Sequence, residues 1–262
     1  MTIALIPARY DSKRFPGKPL IKFGNTTMIQ MVYLKTKKSV YIDDVYVVTD
    51  DIRIKESIEQ IGGKVLTVYD ECLNGTERIC MAIKNNPIIF DDEEIIVNVQ
   101  GDEPFINPNY IDIAISKINM NQMDSIDSVV CSTLHYKIEN ENDLFNRSIG
   151  KLVLSSDDKI LYCSRNCLPF NKEGKPNLDK TNYYGHIGLF VFRKDYLLNN
   201  YCKENTPLQI EEDIEWLKII EQGFDIKSTY VKDYEIGVNT IEDYKYLIDK
   251  YKYSNNSIIE PN

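Results

Sequence analysis

Short apolar runs alternate with amphipathic segments over the first 120 residues, and this alternation constrains the fold more than any other feature. Runs rich in Val and Ile predict strands, whereas apolar residues that recur every three or four positions predict helices. The predicted strands are residues 2–6, 45–49, 65–68 and 95–100, and the predicted helices are residues 27–37, 54–61, 76–85 and 110–118. This order predicts an α/β fold with a doubly wound, mostly parallel sheet, which binds ligands at the carboxyl ends of its strands.

The pattern changes after about Asp124, where further apolar runs are joined by polar loops. The strands predicted there are residues 129–135, 151–154, 160–163 and 187–193. We interpret them as a smaller mixed-sheet lobe, at about residues 125–193, inserted into a single domain of residues 1–262. The elements predicted after the lobe are a helix at 210–222, a strand at 226–231, a closing helix at 241–251 and a frayed tail at 254–262.

The composition favours a folded chain and argues against several classes of protein. Hydrophobic residues make up 43% of the 262 residues and aromatic residues 11%, which is enough to build a full core. The net charge of −9 argues against binding to nucleic acid or to an anionic membrane surface. No apolar run approaches the roughly 20 residues of a membrane helix. The first residues lack the basic region of a signal peptide, so we expect a cytoplasmic protein.

The cysteines and histidines argue against disulfides and zinc. No two of the six cysteines have CxxC spacing, and free thiols are the expectation for a chain of this length. The chain has only two histidines, His135 and His186, so we do not expect a zinc site of thiolates and imidazoles.

A basic loop follows the first predicted strand, in the run IPARYDSKRFPGKPL. Its cations are Arg9, Lys13, Arg14 and Lys18. Fixed cations and backbone N–H groups at the ligand edge of a sheet suit a polyphosphate. The loop matches neither the GxxxxGK[ST] nor the GxGxxG pattern, and a solvated basic loop is the alternative.

A second candidate site is the run VNVQGDEP, in which a buried strand leads to Asp102. A carboxylate at the end of such a strand suits Mg²⁺, which takes one or two carboxylates together with substrate phosphates. A simple turn is an equally reasonable interpretation, since Gly, Asp and Pro all favour turns.

Three further motifs are weaker signals. In NGTER, Thr76 could cap a helix whose first turn carries Arg78. In GHIG, His186 opens a strand, and a lone histidine is more often structural than catalytic. In GVNT, Asn239 or Thr240 could simply cap the last helix.

Taken in order, six motifs resemble those of the 3-deoxy-D-manno-octulosonate (Kdo) cytidylyltransferases, within the CMP-sugar nucleotidyltransferases. They are IPARYDSKRFPGKPL, NGTERI, VNVQGDEP, YCSRNCLPF, YGHIGLFVFR and GVNTIEDY, and the resemblance spans residues 2 to about 250. It implies a nucleotide-diphospho-sugar-transferase-like fold and the reaction of CTP with Kdo to give CMP-Kdo and diphosphate. It also implies Mg²⁺ as the cofactor, and a homodimer formed through the inserted lobe, which would also contact the sugar.

The resemblance further assigns roles to individual residues. Those implied to bind the nucleotide are Ala8, Arg9, Ser12, Arg14, Lys18, Gly75, Thr76 and Arg78. Arg14, Lys18 and Asp102 are implied to be catalytic, and Asp102 and Asn239 to hold the metal. Those implied to face the acidic sugar are Gln100, Arg165, His186, Phe190, Glu215 and Trp216.

Three of these positions depart from the family pattern. Asn239 replaces a metal-binding aspartate, Phe190 a tyrosine and Trp216 a glutamine. Because these changes fall on the sugar and second-metal side, another acidic keto-deoxy sugar, such as an amino-Kdo or a nonulosonate, is an alternative acceptor. A CTP-binding protein without catalysis is a further alternative. A dehydrogenase is disfavoured, because the chain lacks a glycine-rich dinucleotide turn.

Overall fold

The computed structural model describes residues 1–11, 15–91, 94–120 and 129–251. The chain divides into two compact units, one formed by Met1–Ile111 with Glu235–Asn262 and the other by Asp112–Tyr234. The predicted lobe at 125–193 falls within the range of the second unit, and its first residues, 125–128, lie outside the described residues. Ser12, Arg14 and the predicted tail at 254–262 also lie outside them.

The first unit contains a parallel sheet with the strand order β6-β1-β4-β5. Its strands are β1 (Thr2–Pro7), β4 (Asp44–Thr49), β5 (Lys64–Thr67) and β6 (Ile95–Val99), and a small hairpin adds β2 (Lys22–Phe23) and β3 (Thr26–Thr27). Its helices are α1 (Met28–Thr36), α2 (Ile52–Glu59), α3 (Gly75–Asn85) and α9 (Ile241–Tyr251), and α4 (Pro108–Met120) runs across the division between the units. The predicted alternation of strands and helices is therefore confirmed.

Burial explains why the short apolar runs become strands. All five residues of β6 are buried, and so are the four central residues of β1. A strand that is covered on both faces reads as a continuous apolar run, as strands of parallel sheets do.

Local signals also define the helix ends. At the start of α1, Thr27 and Gln30 form a capping box, and Gly62, with φ of 70°, follows α2 in the left-handed region.

The second unit contains strands of both directions. Its strands are β7 (Val129–Ile138), β8 (Lys151–Leu154), β9 (Ile160–Ser164), β10 (Tyr183–Arg193) and β11 (Asp225–Tyr230). β7 pairs in parallel with β11 and antiparallel with β10, and β8 lies antiparallel between β10 and β9. The helical segments are α5 (Glu141–Phe145), α6 (Lys194–Tyr196), a π-helical turn (Leu197–Tyr201), α7 (Pro207–Glu212) and α8 (Leu217–Glu221).

The single helix predicted for residues 210–222 is wrong. The chain forms two shorter helices there, α7 and α8, separated at Asp213, whose φ is 51°. The N–H of Ile214 donates to the Gln209 carbonyl, and the N–H of Asp213 donates to the Ile210 carbonyl. These bonds form a left-handed C-terminal cap, which ends α7 although the apolar periodicity continues.

The cysteines agree with the sequence analysis, since all six are free thiols. In the part of the chain that the structure describes, no helix combines the length and apolar character needed to span a bilayer.

Candidate active site

The parallel strands of the first unit end at one edge, and the predicted nucleotide-binding motifs follow three of these ends. β1 is extended by Ala8, whose N–H donates to the Val48 carbonyl at 2.9 Å. β6 leads to Gly101, where an added Cβ would lie 2.9 Å from the Pro7 carbonyl oxygen. This close approach requires a glycine, and it brings the residues after β6 against the end of β1.

The basic loop turns back on itself before Lys18. Gly17, with φ of 71°, donates its N–H to the Tyr10 carbonyl at 3.0 Å and lies against the Tyr10 ring. A side chain at this position would strain the backbone and contact the ring, which accounts for the glycine. Arg9 is exposed, and Ser12 and Arg14 lie outside the described residues.

Lys18 and Asp102, both predicted to be catalytic, form an ion pair. Lys18 Nζ lies 2.7 Å from Asp102 Oδ2 and also donates to the Val238 carbonyl at 2.9 Å. The two side chains are 14% and 22% exposed. A cation and an anion at this depth each keep access to solvent, so both can exchange partners with a charged ligand.

The segment before α9 runs beside Asp102. The Val238 N–H donates to the Asp102 carbonyl at 2.8 Å, and a Cβ on Gly237 would lie 3.1 Å from that same oxygen. The structure therefore brings Asn239, the residue after Val238, next to Asp102 in the fold. Thr240 caps α9, since its hydroxyl accepts from the Asp243 N–H at 3.2 Å. Asn239 contributes its backbone N–H to Asp243, at 2.9 Å.

The cap of α3 is Asn74, and the prediction that Thr76 caps this helix is wrong. Asn74 accepts from the Glu77 N–H at 2.9 Å, and α3 begins at Gly75. Thr76 is fully buried, and its hydroxyl accepts from the side-chain amide of Asn98, on β6, at 3.0 Å. The start of α3 is therefore tied to the strand that leads to Asp102.

Arg78 links two strand ends. Its Nη1 donates to the Val68 carbonyl and its Nη2 to Asp50 Oδ2, both at 2.9 Å. The Arg78 side chain is buried, whereas Asp50 is exposed. Arg78 thus lies at the ligand edge with its charge paired to a carboxylate. Gln100, predicted to face the sugar, is half-buried directly before Gly101, and its carbonyl accepts from Glu103.

In the second unit, the guanidinium of Arg165 donates to four backbone carbonyls. The acceptors are the carbonyl oxygens of Glu212 (3.3 Å), Arg147 (3.3 Å), Ser148 (3.0 Å) and Asp213 (2.8 Å). A guanidinium has five N–H groups, so these bonds leave one. Bidentate binding of a carboxylate would require Arg165 to release at least one carbonyl.

His186, Phe190 and Trp216 form one aromatic cluster. The His186 ring meets the Trp216 ring edge to face at 5.7 Å between centroids and lies 6.1 Å from Phe190. Phe190 and Trp216 are buried, and His186 is half-buried. The two rings that depart from the family pattern therefore support His186 from inside the unit.

Glu215, expected on a long helix, lies in the turn between α7 and α8. It is half-buried, and its carbonyl accepts from the Tyr201 hydroxyl at 3.0 Å. The position of Glu215 thus depends on the break at Asp213 that the apolar periodicity did not indicate.

Sequence reasoning missed two residues beside Arg165. The Glu212 carboxylate accepts from the backbone N–H of Arg165 at 3.0 Å and from the Tyr162 hydroxyl at 3.3 Å. Lys151 is buried, and its Nζ donates to three carbonyls, one of them that of Arg165. A lysine in a short apolar strand was the only signal in the sequence.

Among the described residues, no group of three or more His, Cys, Asp or Glu side chains is placed to hold a metal ion.

Comparisons with known proteins show the family of the chain. A sequence model of the family described as "Cytidylyltransferase" matches residues 3–229. The chain is 36% identical over 241 residues to the 3-deoxy-manno-octulosonate cytidylyltransferase of Protochlamydia amoebophila strain UWE25, with 92% of this chain and 90% of that protein covered. It is 38% identical over 248 residues to the enzyme of the same name from Thermodesulfovibrio yellowstonii, with coverage of 93% and 95%.

The fold is similar to that of a solved CMP:2-keto-3-deoxy-manno-octonic acid synthetase complexed with CTP, with a TM-score of 0.82 and 27% identity. That similarity covers 95% of this chain and 98% of the other. It confirms the predicted α/β fold with a large, mostly parallel sheet. A cytidylyltransferase from Leptospira borgpetersenii, at 19% identity and a TM-score of 0.57, shares the fold alone, with 99% of both chains covered. By its sequence and its fold, the chain belongs to the cytidylyltransferase family, among the 3-deoxy-manno-octulosonate cytidylyltransferases.

Proposed function

We propose that this enzyme transfers a cytidylyl group from CTP to Kdo, giving CMP-Kdo and diphosphate with the help of Mg²⁺. The observation that carries the proposal is the Lys18–Asp102 pair at the carboxyl edge of the parallel sheet, 2.7 Å between Nζ and Oδ2. A fixed cation and a fixed carboxylate in contact are what a metal-assisted displacement at phosphorus requires of the protein.

The first unit supplies the groups suited to the nucleotide. Lys18 would exchange Asp102 for an oxygen of the leaving diphosphate, because that group gains negative charge as the P–O bond breaks. The anomeric hydroxyl of Kdo forms the new bond to the α-phosphorus, diphosphate leaves, and the hydroxyl proton passes to water. Arg9 and Arg14, in the same loop, and Gly75 at the start of α3 are proposed to bind along the nucleotide.

Asp102 and Asn239 fit a magnesium site as oxygen donors. Both are hard oxygen ligands, and the Val238–Asp102 backbone bond brings the segment with Asn239 beside Asp102. A single carboxylate with an amide leaves the remaining ligand positions to phosphate oxygens and water, the usual mode for Mg²⁺. When bound, the ion would neutralise charge on the reacting phosphate.

The second unit supplies the groups proposed to bind the acidic sugar. Arg165 is proposed to bind the sugar carboxylate, and the half-buried His186 is proposed to contact the rest of the sugar. Phe190 and Trp216 are buried, so their departure from the family pattern changes the support of His186 rather than an exposed surface. Kdo is therefore retained as the acceptor.

Diphosphate release from CTP tests the function. The assay compares Kdo, an amino-Kdo and a nonulosonate as acceptors, each with Mg²⁺ and with a chelator. We expect release with Kdo and Mg²⁺, and loss of release with the chelator. A higher kcat/KM on another acceptor would assign the reaction to that sugar, and CTP binding without release on any acceptor would refute catalysis.

The cell compartment and the assembly are also proposals. Six free thiols are typical of a reducing compartment, which supports the cytoplasm. A homodimer through the second unit is supported by β9, which pairs with β8 and exposes Leu161. Light scattering of the native protein and of a Leu161→Lys variant would test the dimer, since a charge at the interface should yield monomers.

A further inference from the structure

The turn between α5 and β8, residues 146–149, gives all four of its carbonyls to two cationic side chains. The acceptors for Lys151 Nζ are the carbonyls of Asn146 and Ile149, both at 2.8 Å, and those for Arg165 Nη1 are the carbonyls of Arg147 and Ser148, at 3.3 and 3.0 Å. Lys151 therefore holds the first and last carbonyls of the turn, and Arg165 holds the two between them.

Lys151 is the inaccessible member of this pair. Its third donor goes to the Arg165 carbonyl at 2.6 Å, so all three N–H groups of the ammonium are bonded to backbone oxygens. The residue is fully buried, and no carboxylate lies within ion-pair distance of Nζ in the portion of the chain that is described. Burial lowers the pKa of Lys151 to about 8. The turn thus depends on a charge that solvent and substrate do not reach.

Arg165 is the accessible member. Its side chain is 26% exposed, and two of its four carbonyl bonds go to the 146–149 turn. One N–H group, on Nη2, remains outside these bonds and lies 4.0 Å from the exposed Asp213 carboxylate. A sugar carboxylate that replaces Asp213 there can gain a second N–H by displacing a turn carbonyl. Such an exchange leaves the turn intact only if another group continues to hold it.

The turn leads directly into a contact with His186. The His186 N–H donates to the Gly150 carbonyl at 3.2 Å, and an added Cβ at position 150 would lie 2.6 Å from Cδ2 of the His186 ring. The imidazole therefore rests on the backbone of Gly150, between the 146–149 turn and Lys151. A displacement of the turn would move the surface on which His186 lies.

We propose that Lys151 is a positioning residue for the acceptor sugar. Its ammonium holds the 146–149 turn, and with it His186, while Arg165 exchanges turn carbonyls for the carboxylate of the sugar. The inference rests on the proposed function, which places Arg165 and His186 at the sugar. Lys151 itself touches no substrate.

The test is Lys151→Met, with Lys218→Met as a matched control. Lys218 is also fully buried in the second unit, and its Nζ donates to the Lys203 carbonyl at 2.8 Å, away from the 146–149 turn. Lys151→Met should raise the KM for Kdo at least about tenfold and leave the KM for CTP within about twofold, because the exchange at Arg165 then leaves the carbonyls of the turn without a side-chain donor. The control should leave both KM values unchanged.

A double variant tests the route of the effect. If Lys151 acts on Kdo through the turn that Arg165 also holds, the effects of Lys151→Met and Arg165→Ala on the KM for Kdo should be non-additive. Additive effects, or an unchanged KM for Kdo in a folded Lys151→Met protein, would overturn the proposal. Equal shifts in the Lys151 and Lys218 variants would overturn it as well.

If Lys151→Met does not fold, Asn146→Ala replaces it. Asn146 is exposed, and its Oδ1 accepts from the Ser148 N–H at 2.9 Å, so the variant loosens the turn without a buried change. We expect the KM for Kdo to rise about threefold or more with the melting temperature nearly unchanged, and an unaltered KM would refute the inference. The unmodified protein is assayed first, because lack of turnover there would refute the proposed function instead.

Discussion

Replacing Lys18 by Met separates the charge of this residue from its packing. The variant keeps an unbranched side chain and loses two charge-assisted hydrogen bonds, to Asp102 Oδ2 at 2.7 Å and to the Val238 carbonyl at 2.9 Å. Because the two ionic side chains are 14% and 22% exposed, the loss lies between that of a buried bond and that of a surface pair. We expect the free energy of unfolding to fall by about 1–3 kcal/mol. In a chain of this length that lowers the melting temperature by about 2–10 °C.

The activity of the variant should fall by more than its stability explains. An ammonium directed at the leaving diphosphate acts in the transition state, and removal of one such group costs about 10²–10³ in kcat, or roughly 3–4 kcal/mol. The assay is diphosphate release at saturating CTP and Kdo, below the melting temperature of the variant. Lys22→Met serves as control, because Lys22 is an exposed lysine of the same unit. A kcat within threefold of the unmodified enzyme, together with early melting, would show that Lys18 only supports Asp102.

Three further outcomes are expected. Asn239→Asp places a charge beside Asp102, so initial rates should reach their plateau at lower free Mg²⁺ with the KM for CTP unchanged, whereas superimposable curves would show that Asn239 is no ligand. Asn74→Ala removes the cap of α3 and should lower the free energy of unfolding in urea by about 1 kcal/mol, and an unchanged midpoint would exclude this cap. Burial lowers the pKa of His135 to about 4. Between about pH 6.5 and 4 the unfolded chain therefore binds more protons than the folded one. As the pH decreases through this range, the free energy of unfolding should decrease by up to about 3 kcal/mol. His135→Gln should flatten that dependence, and an equally steep slope in the variant would refute this origin.

The sequence was sufficient for most of the fold because each strand and helix carries its own local signal. The apolar run of β8, residues 151–154, and the periodicity of α9, residues 241–251, gave the observed bounds. A strand buried on both faces needs no knowledge of its neighbours to be recognised, and the same holds for a helix with one apolar face.

The failures occurred where a local pattern competed with a specific backbone geometry. The apolar spacing of residues 210–222 continues through Asp213, but the left-handed conformation of Asp213 ends α7, and Arg165 donates to the carbonyls of Glu212 and Asp213 at the break. At α3, Asn74 and Thr76 are both favourable caps, and the burial of Thr76 against Asn98 decides between them. Neither outcome follows from residue type or spacing alone.

The pairing within the site was also beyond local reasoning. Lys18 and Asp102 are 84 positions apart, and only the strand order that places β6 beside β1 brings the loops after these strands together. The motifs identified the two residues singly, as a phosphate-binding cation and a metal-binding carboxylate. The contact between them, and the role of the Val238 carbonyl as a second acceptor, required the structure.

Each unit contains a cation whose proposed anion must displace groups of the protein. Lys18 in the first unit and Arg165 in the second are proposed to bind anions, and both are already bonded to groups of the protein, one to a carboxylate and a carbonyl and the other to four carbonyls. Binding of phosphate or of the sugar carboxylate is then an exchange of partners, in which the free energy gained is the difference between two sets of bonds. At Arg165 an arriving anion replaces neutral carbonyls and adds the attraction between opposite charges, whereas at Lys18 a phosphate oxygen must compete with the Asp102 carboxylate. This arrangement favours substrates that present an anion to each cation, the phosphates of CTP to Lys18 and the sugar carboxylate to Arg165. It predicts that a neutral sugar analogue without the carboxylate would bind the enzyme poorly.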